Sequence, residues 1–309
     1  MSGLKRDLIG VEQMSRADIE LILDTAGSFA EISERPIKKV PTLRGKTVVN
    51  LFLEPSTRTR TSFEIAGKRL SADVINISGS GTSMSKGESL RDTLKTIEAM
   101  SVDCLVIRHS SSGSAAFAAE LLSFPVINAG DGCHEHPTQA LLDLYTMRTA
   151  LGRLRGVRVI LVGDILHSRV ARSLMLALGK VGAVVTVVGP PGLVPKGVEQ
   201  YGVKVAAGLD DVLADTDVLY VLRVQKERMG RQFYPSDREY ASLYGINNTR
   251  LEAMPMESLL MHPGPVNRGV EIDADVADSA RSMIDKQVTS GVAVRMASLY
   301  WLLGGTPSA

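Results

Sequence analysis

The sequence predicts an α/β protein of two similar-sized domains, each a parallel sheet flanked by helices. Three observations lead there. The chain has 309 residues, long for a single domain, so two domains are the better expectation. Short apolar runs alternate with stretches of helical spacing, the pattern of βαβ units. That alternation stops once, in the arginine- and glycine-rich stretch "ALGRLRGVR", and then restarts. The stretch reads as the end of a bridging helix and sets the boundary, giving domains at 1–150 and 151–286.

The elements follow in order. "SRADIELILDTAGSFAEI" has apolar residues at Ile19, Ile22, Leu23, Ala26, Phe29 and Ala30, a helical spacing with Ser15 as N-cap. Strand-like runs follow at 47–53, 73–77, 103–107 and 125–128. Helices are expected at about 60–70, 89–100 and 114–122, with a fourth at 137–150. In the second half "VRVILVGD", "AVVTVVGP", "VKVAA", "DVLYVL" and "SLLMHPGP" read as strands. "SRVARSLMLALGKVG" is the clearest helix between them, and a long helical stretch runs from about Ala277 to Leu303.

Composition excludes several classes. Apolar residues make up 44% and charged residues 22%, with a net charge of +1, so no overall field draws the chain to nucleic acid or an anionic membrane. Cys104 and Cys133 are too few for a disulfide scaffold, and neither CxxC nor HExxH spacing occurs. "MSGLKRDLIG" lacks the apolar stretch of a signal peptide, and no apolar run reaches membrane-spanning length. A reducing cytoplasm is the expected setting.

Ligands of parallel α/β sheets bind at the carboxyl ends of the strands, and seven polar clusters fall there. "EPSTRTRTSFE" crowds Ser56, Thr57, Arg58, Thr59, Arg60 and Thr61 into a strand-to-helix turn. One hydroxyl suffices to cap a helix; four with two arginines suit a phosphate held by helix N–H groups and a guanidinium. It is not a Walker motif. The Gly/Ser-rich segment 78–90 carries Lys86; taken by itself it reads better as a plain flexible connector with a solvated lysine. Arg108 ends an apolar strand. In "DGCHEHPTQALLDL", Pro137 suits a first helical turn, making His136 the N-cap, and Gln139 faces the same way. Both side chains can donate to a ligand oxygen, or His136 only caps and Gln139 is solvated. A metal at His134 and His136 would need a third ligand, and none stands near in sequence. "VGDILHSRVARS" places Arg169 in a first helical turn without a dinucleotide fingerprint. Arg223 and Gln225 follow an apolar strand at i, i+2 and point the same way, as an acidic ligand would want. In "MHPGPVNRG" two prolines about Gly264 make a rigid turn whose carbonyls suit an N–H₂ group. The inventory points to group transfer from a small phosphorylated compound to an acidic acceptor.

"STRTR", "HPTQALLDL" and "HPGP", in this order over two α/β halves, resemble the aspartate/ornithine carbamoyltransferase family across nearly the whole chain. "GDILHSRVARS" and "LRVQKER" are similar to catalytic chains of its aspartate branch; the ornithine branch has a Cys-Leu-Pro turn where this chain has "HPGP". The resemblance implies a carbamoyl-phosphate-binding first domain, an aspartate-binding second domain, a C-terminal helix of about 287–305 packed back on the first, and an active site between the two. It implies transfer from carbamoyl phosphate to L-aspartate, the committed step toward pyrimidines, with no cofactor and no metal. Ser56, Thr57, Arg58 and Thr59 would hold the phosphate, and Arg108 would reach both phosphate and carbonyl. His136 and Thr59 would donate to the carbonyl oxygen, while Gln139, Gly264 and Pro265 would hold the carbamoyl N–H₂. Arg169, Arg223 and Gln225, with Lys86, would bind aspartate. Lys86, and with it Ser83, would enter from a neighbouring subunit of a homotrimer, alone or in a larger assembly. The spacer between Ser83 and Lys86 is shorter than in some members. The alternatives are a carbamoyltransferase for another amino acid such as ornithine, or an inactive scaffold, which would have no need of His136, Arg108 and Lys86.

Overall fold

The computed structural model describes residues 6–79, 87–225, 228–229 and 233–304. They form two compact units, one of the described residues up to Tyr145 together with those from Val288 on, and one of the described residues between Thr146 and Gln287.

The first unit holds four parallel strands, β1 (Thr47–Phe52), β2 (Asp73–Ser78), β3 (Cys104–His109) and β4 (Val126–Asp131), in the order β2-β1-β3-β4. The apolar runs are strands because both faces are covered, which removes the polar alternation of a half-exposed sheet. Val48, Val49, Leu51, Leu105, Val106 and Ile107 are all buried. Edge strand β2 differs: Ile75 is exposed. Cys104 lies in this core, where burial pushes its thiol up; Cys133 is exposed.

Helices α1 (Arg16–Glu34), α2 (Thr57–Arg69), α3 (Leu90–Ala99), α4 (Ser114–Leu121) and α5 (Pro137–Leu151) connect the strands or precede them. Ser15 caps α1 in a reciprocal box with Asp18, as the spacing predicts.

The second unit holds β5 (Arg158–Val162), β6 (Val184–Val188), β7 (Lys204–Val205), β8 (Val218–Val221) and β9 (Leu259–Met261), all parallel, in the order β7-β6-β5-β8-β9. Its helices are α6 (Arg169–Lys180), α7 (Asp237–Tyr244), α8 (Asn248–Ala253) and α9 (Ala274–Ala277), and α10 (Ile284–Leu303) carries the chain back into the first unit. Gly163 after β5 has φ +123, and an added Cβ would stand 2.7 Å from the Tyr240 hydroxyl, so the turn admits only glycine.

Two expectations change. "VKVAA" contributes only the two residues of β7. The long helix expected from Ala277 begins at Ile284 instead. The chain before it runs beside β9, where Leu260 N–H donates to Arg281 and Met283 N–H donates to Leu260. Those edge hydrogen bonds outweigh the helical pattern of 279–283. Helices α7 and α8 were not expected. They are short, and Arg250 on α8 closes the end of α7 by donating to the carbonyls of Ser242, Leu243 and Gly245. Among the described residues no helix is long and apolar enough to cross a membrane.

Candidate active site

In each sheet the strand order reverses at one point, between β1 and β3 in the first unit and between β5 and β8 in the second. The crevice outside the strand ends at such a point is where open α/β sheets bind ligands.

In the first unit the segment after β1 enters α2 with Ser56 as N-cap, yet the Ser56 side chain makes no capping hydrogen bond. Helices α1, α3, α6, α7 and α8 are each capped by their own Ser or Asn side chain. The first turn of α2 holds no acidic residue and carries Arg58 and Arg60 against the helix dipole. Thr57 and Arg58 are exposed, Ser56 is half-buried and Thr59 is buried. Capping therefore does not explain the cluster; an anion would satisfy the N–H groups and both guanidinium charges.

Arg108 stands beside Phe52 in the β1–β3 register. Its guanidinium is paired with Glu54 at 3.1 Å and donates to the Ala129 carbonyl at 3.2 Å. Those two contacts hold it at the end of β3, in the same crevice as α2. The crevice's far side is a buried network: Asn128 Nδ2 donates to Ile9 and to Asp131, and Asp131 accepts from the Gly113 and Glu135 N–H groups. It fixes the chain into His136, which is buried immediately before α5, with Pro137 as the first helical residue.

Gln139 corrects one expectation. Its Nε2 donates to Asp143 at 3.1 and 3.3 Å, one turn along α5, so the amide nitrogen is turned to a carboxylate rather than to a ligand oxygen. Its Oε1 remains as the acceptor end.

In the second unit Arg169 is buried at the first position of α6, behind its N-cap Ser168. Arg223 is half-buried two residues past β8. Gln225 Nε2 donates to the His167 carbonyl at 3.2 Å and its N–H to Asp164 at 3.3 Å, which ties the strand end after β8 to the turn before Arg169. Asp164 also accepts from His167 N–H and faces its Nδ1 at 2.9 Å. Gly264 and Pro265 follow β9; Gly264 has φ +65 and its peptide bond to Pro265 is cis. Lys86 and Ser83 lie outside the described residues.

Several supporting residues escaped the sequence reading. Glu271, His262, Asp143 and Arg295 are buried charged or polar groups: Asp143 accepts from Gln139, His262 from the Gly264 N–H and Glu271 from the Val224 N–H, while Arg295 donates to Ser62. Sequence separation hid Glu271 and Arg295, while His262 and Asp143 stood inside the quoted motifs and only their burial was hidden. The third ligand missing near His134 has the same history: the fold brings Glu12, His134 and Glu135 together with ligand atoms within 4.8 Å. Their groups are used for structure, since Glu135 accepts from the Val11 and Glu12 N–H groups and His134 Nδ1 faces Asp131.

Residues 6–149 match the family described as aspartate/ornithine carbamoyltransferase, carbamoyl-P binding domain, and residues 155–302 match its Asp/Orn binding domain. The chain belongs to the aspartate/ornithine carbamoyltransferase family. It is 56% identical over 305 residues to the aspartate carbamoyltransferase catalytic subunit of Frankia casuarinae, covering 99% of this chain and 96% of the relative. The catalytic subunit of Thermobifida fusca is 58% identical over 96% of this chain and 95% of its own. Among solved structures, the aspartate transcarbamoylase of Trypanosoma cruzi in complex with carbamoyl phosphate and aspartate is similar with a TM-score of 0.87 and 32% identity, covering 96% of each chain. The ornithine carbamoyltransferase of Pyrococcus furiosus has a TM-score of 0.86 at 28% identity, over 98% of each chain. The carbamoyltransferase fold is thus common to both branches, and the substrate must be argued from side chains.

Proposed function

We propose that this chain transfers the carbamoyl group of carbamoyl phosphate to the amine of L-aspartate, giving N-carbamoyl-L-aspartate and phosphate. The observation that carries the reading is the uncapped, arginine-bearing start of α2 at the β1–β3 reversal. Relatives more than half identical are aspartate carbamoyltransferase catalytic subunits, and a solved relative holds both substrates.

The first unit takes the phosphorylated substrate. Ser56, Thr57, Arg58 and Thr59 hold the phosphate, and Arg108 spans phosphate and carbonyl. The second unit takes the acceptor: Arg169 and Arg223 grip its carboxylates, with Gln225 supporting the turn they stand on. That choice separates aspartate from ornithine, since two guanidiniums suit a dicarboxylate and repel a second ammonium. Gly264 and Pro265, with Gln139, accept from the carbamoyl N–H₂.

The chemistry needs no protein nucleophile. The aspartate amine forms a bond to the carbonyl carbon, the bond from that carbon to the phosphate oxygen breaks, and the amine proton leaves with the departing phosphate. Charge builds on the carbonyl oxygen, where His136, Thr59 and Arg108 donate. Arg58 stabilises the departing phosphate. Bringing two anions together against their repulsion is the other task, and it accounts for the number of cations.

The working unit is a cytoplasmic homotrimer in which Lys86, with Ser83, serves a neighbour's site. The exposed Ile75 on edge strand β2 supports a covered edge in an assembly. Sedimentation should read three chains per particle or a multiple of three, and a monomer at working concentration would contradict it. The substrate assignment is tested with the bisubstrate analogue N-phosphonacetyl-L-aspartate. It should raise the melting temperature and displace carbamoyl phosphate, and the corresponding ornithine analogue should do neither.

A further inference from the structure

Residues 7–12 pair in parallel with β4, the last strand in the order of the first sheet. Leu8 N–H donates to the Val126 carbonyl and the Leu8 carbonyl accepts from Asn128 N–H, both at 2.9 Å. The Asp7 carboxylate accepts from Val126 N–H, and the Ile9 carbonyl from Asn128 Nδ2, again at 2.9 Å. Leu8, Ile9, Val11 and Met14 are buried. The segment then meets Glu135, the residue before His136. Val11 N–H donates to Glu135 Oε2 at 2.8 Å and Glu12 N–H to Oε1 at 3.2 Å. Successive N–H groups make a cradle for a carboxylate, and this carboxylate is wholly buried. At Gly10 the two parts of the chain come closest. A Cβ there would stand 2.2 Å from Glu135 Oε1 and 2.9 Å from its Cδ. The φ of Gly10 is not positive, so the glycine answers to this approach and not to a turn.

The backbone of Glu135 is held as well. Its N–H donates to Asp131 Oδ1 at 3.1 Å, and its carbonyl accepts from Asp131 N–H at 3.2 Å and from Asn128 Nδ2 at 3.3 Å. Asn128 Nδ2 thus reaches Ile9 and Glu135 at once. The peptide that leads into His136 is fixed from two directions, by β4 with Asp131 and by residues 9–12 through the Glu135 side chain. A buried carboxylate is unfavourable unless its oxygens are satisfied, so Glu135 follows residues 11 and 12 and carries that peptide with it. Misplacing a reacting group by about 1 Å can cost about 10²-fold in rate.

We propose that Glu135 is a positioning residue for His136 and that residues 10–12 act through it, so that the start of the chain sets where the His136 ring meets the carbonyl oxygen of the substrate. The inference rests on the carbamoyl phosphate reading above. Its consequence is a separation of two effects. Ser56, Thr57, Arg58 and Thr59 take no part in these contacts, so the grip on phosphate is independent of them. The polarisation of the carbonyl is not.

The test is isotope-edited infrared spectroscopy of carbonyl-labelled [¹³C]carbamoyl phosphate bound to the full-length chain. Turnover and the binding of inorganic phosphate are measured beside it. Wild type is compared with Gly10→Ala and Glu135→Gln. Gly10→Ala pushes the carboxylate off residues 11 and 12. Glu135→Gln keeps the size of the side chain but turns an N–H₂ toward one of their N–H groups. Donors to a carbonyl oxygen weaken its double bond, so binding to wild type should lower the carbonyl stretch below that of the free compound. In both variants the stretch should return part of the way to the free value, and kcat should fall by about tenfold or more. Inorganic phosphate should still bind within about threefold of wild type. A purely structural role would lower the melting temperature and leave the bound stretch where wild type has it. If Gly10→Ala does not fold, Glu135→Gln decides. An unchanged stretch in either folded variant, whatever its turnover, overturns the role of Glu135 and leaves the proposed reaction standing. A wild type that binds inorganic phosphate but not carbamoyl phosphate overturns the carbamoyl phosphate reading itself, and this inference with it.

Discussion

His262 Nε2 lies 3.2 Å from Glu271 Oε2, and neither side chain is exposed. Gly264 N–H donates to His262 Nδ1 at 2.8 Å, which leaves the ring proton on Nε2 and directs it to Glu271. Glu271 also accepts from the Val224 N–H at 2.7 Å and from the Asn267 N–H and amide at 2.9 and 2.6 Å. One buried carboxylate therefore joins the "HPGP" turn after β9 to the residue between Arg223 and Gln225.

Glu271→Gln removes the charge and leaves one donor facing Val224, His262 or Asn267. Charge-assisted bonds to a buried carboxylate are worth roughly 1.5–3 kcal/mol each. The variant should melt several degrees lower, and its KM for aspartate should rise at least about tenfold. Thermal melts and steady-state kinetics read both. Wild-type values in each would mean that Glu271 does not hold Arg223 and Gln225 in place.

Arg58→Ala should leave the fold intact, because Arg58 is exposed on the first turn of α2. Loss of one donor to developing charge lowers kcat by roughly 10²–10³. Circular dichroism checks the fold and a phosphate-release assay the turnover. Near-normal turnover in a folded variant would show that "STRTR" does not face the leaving group.

Arg223→Ala should act on the acceptor. Aspartate saturation should move upward by about two orders of magnitude, the effect of losing a buried charge-assisted pair, with carbamoyl phosphate affinity little changed. Varying each substrate in turn separates the two. A larger effect on carbamoyl phosphate would reverse the assignment of ligands to the units.

Asp103 gives a pH signature. Burial raises its carboxyl, but the hydrogen bond from Lys46 at 2.8 Å and that from the Thr47 N–H at 2.9 Å outweigh it and hold the group below the usual carboxylate range. A folded pKa below the unfolded one stabilises above the unfolded value, and the benefit is lost as pH falls through the folded one. Asp103→Asn should therefore destabilise the fold by about 1 kcal/mol at pH 7, allowing for the partial exposure of the pair. Its deficit should shrink below about pH 4. Denaturant melts at pH 7 and pH 3 check this; an equal deficit at both would assign the effect to packing.

The strands were legible because parallel sheets bury both faces, leaving apolar runs such as the "VILV" of β5 and "VLYV" of β8. The arginines and hydroxyls were legible because strand ends are where polar residues interrupt those runs. What the pattern hid is pairing at a distance. Nothing local in "HPTQALLDL" says that Asp143 is wholly buried, or that the Gln139 amide nitrogen turns to it. Periodicity also ran the last helix too far, since it counts apolar spacing and is blind to the hydrogen bonds that Arg281 and Met283 make beside β9. The residues alone read Gln139 as a donor and the resemblance made it an acceptor, because a side-chain amide offers both ends. Only its neighbour Asp143 decides which end is used.

Transfer itself is the most direct test. The full-length chain is incubated with carbonyl-labelled [¹³C]carbamoyl phosphate and equal amounts of L-aspartate and L-ornithine, and the ureido carbon is followed by NMR and mass spectrometry. The account predicts label in N-carbamoyl-L-aspartate, with one phosphate released per product formed. It also predicts that Arg58→Ala and His136→Ala abolish both signals together. Label in citrulline, or phosphate release without a ureido product, would contradict it.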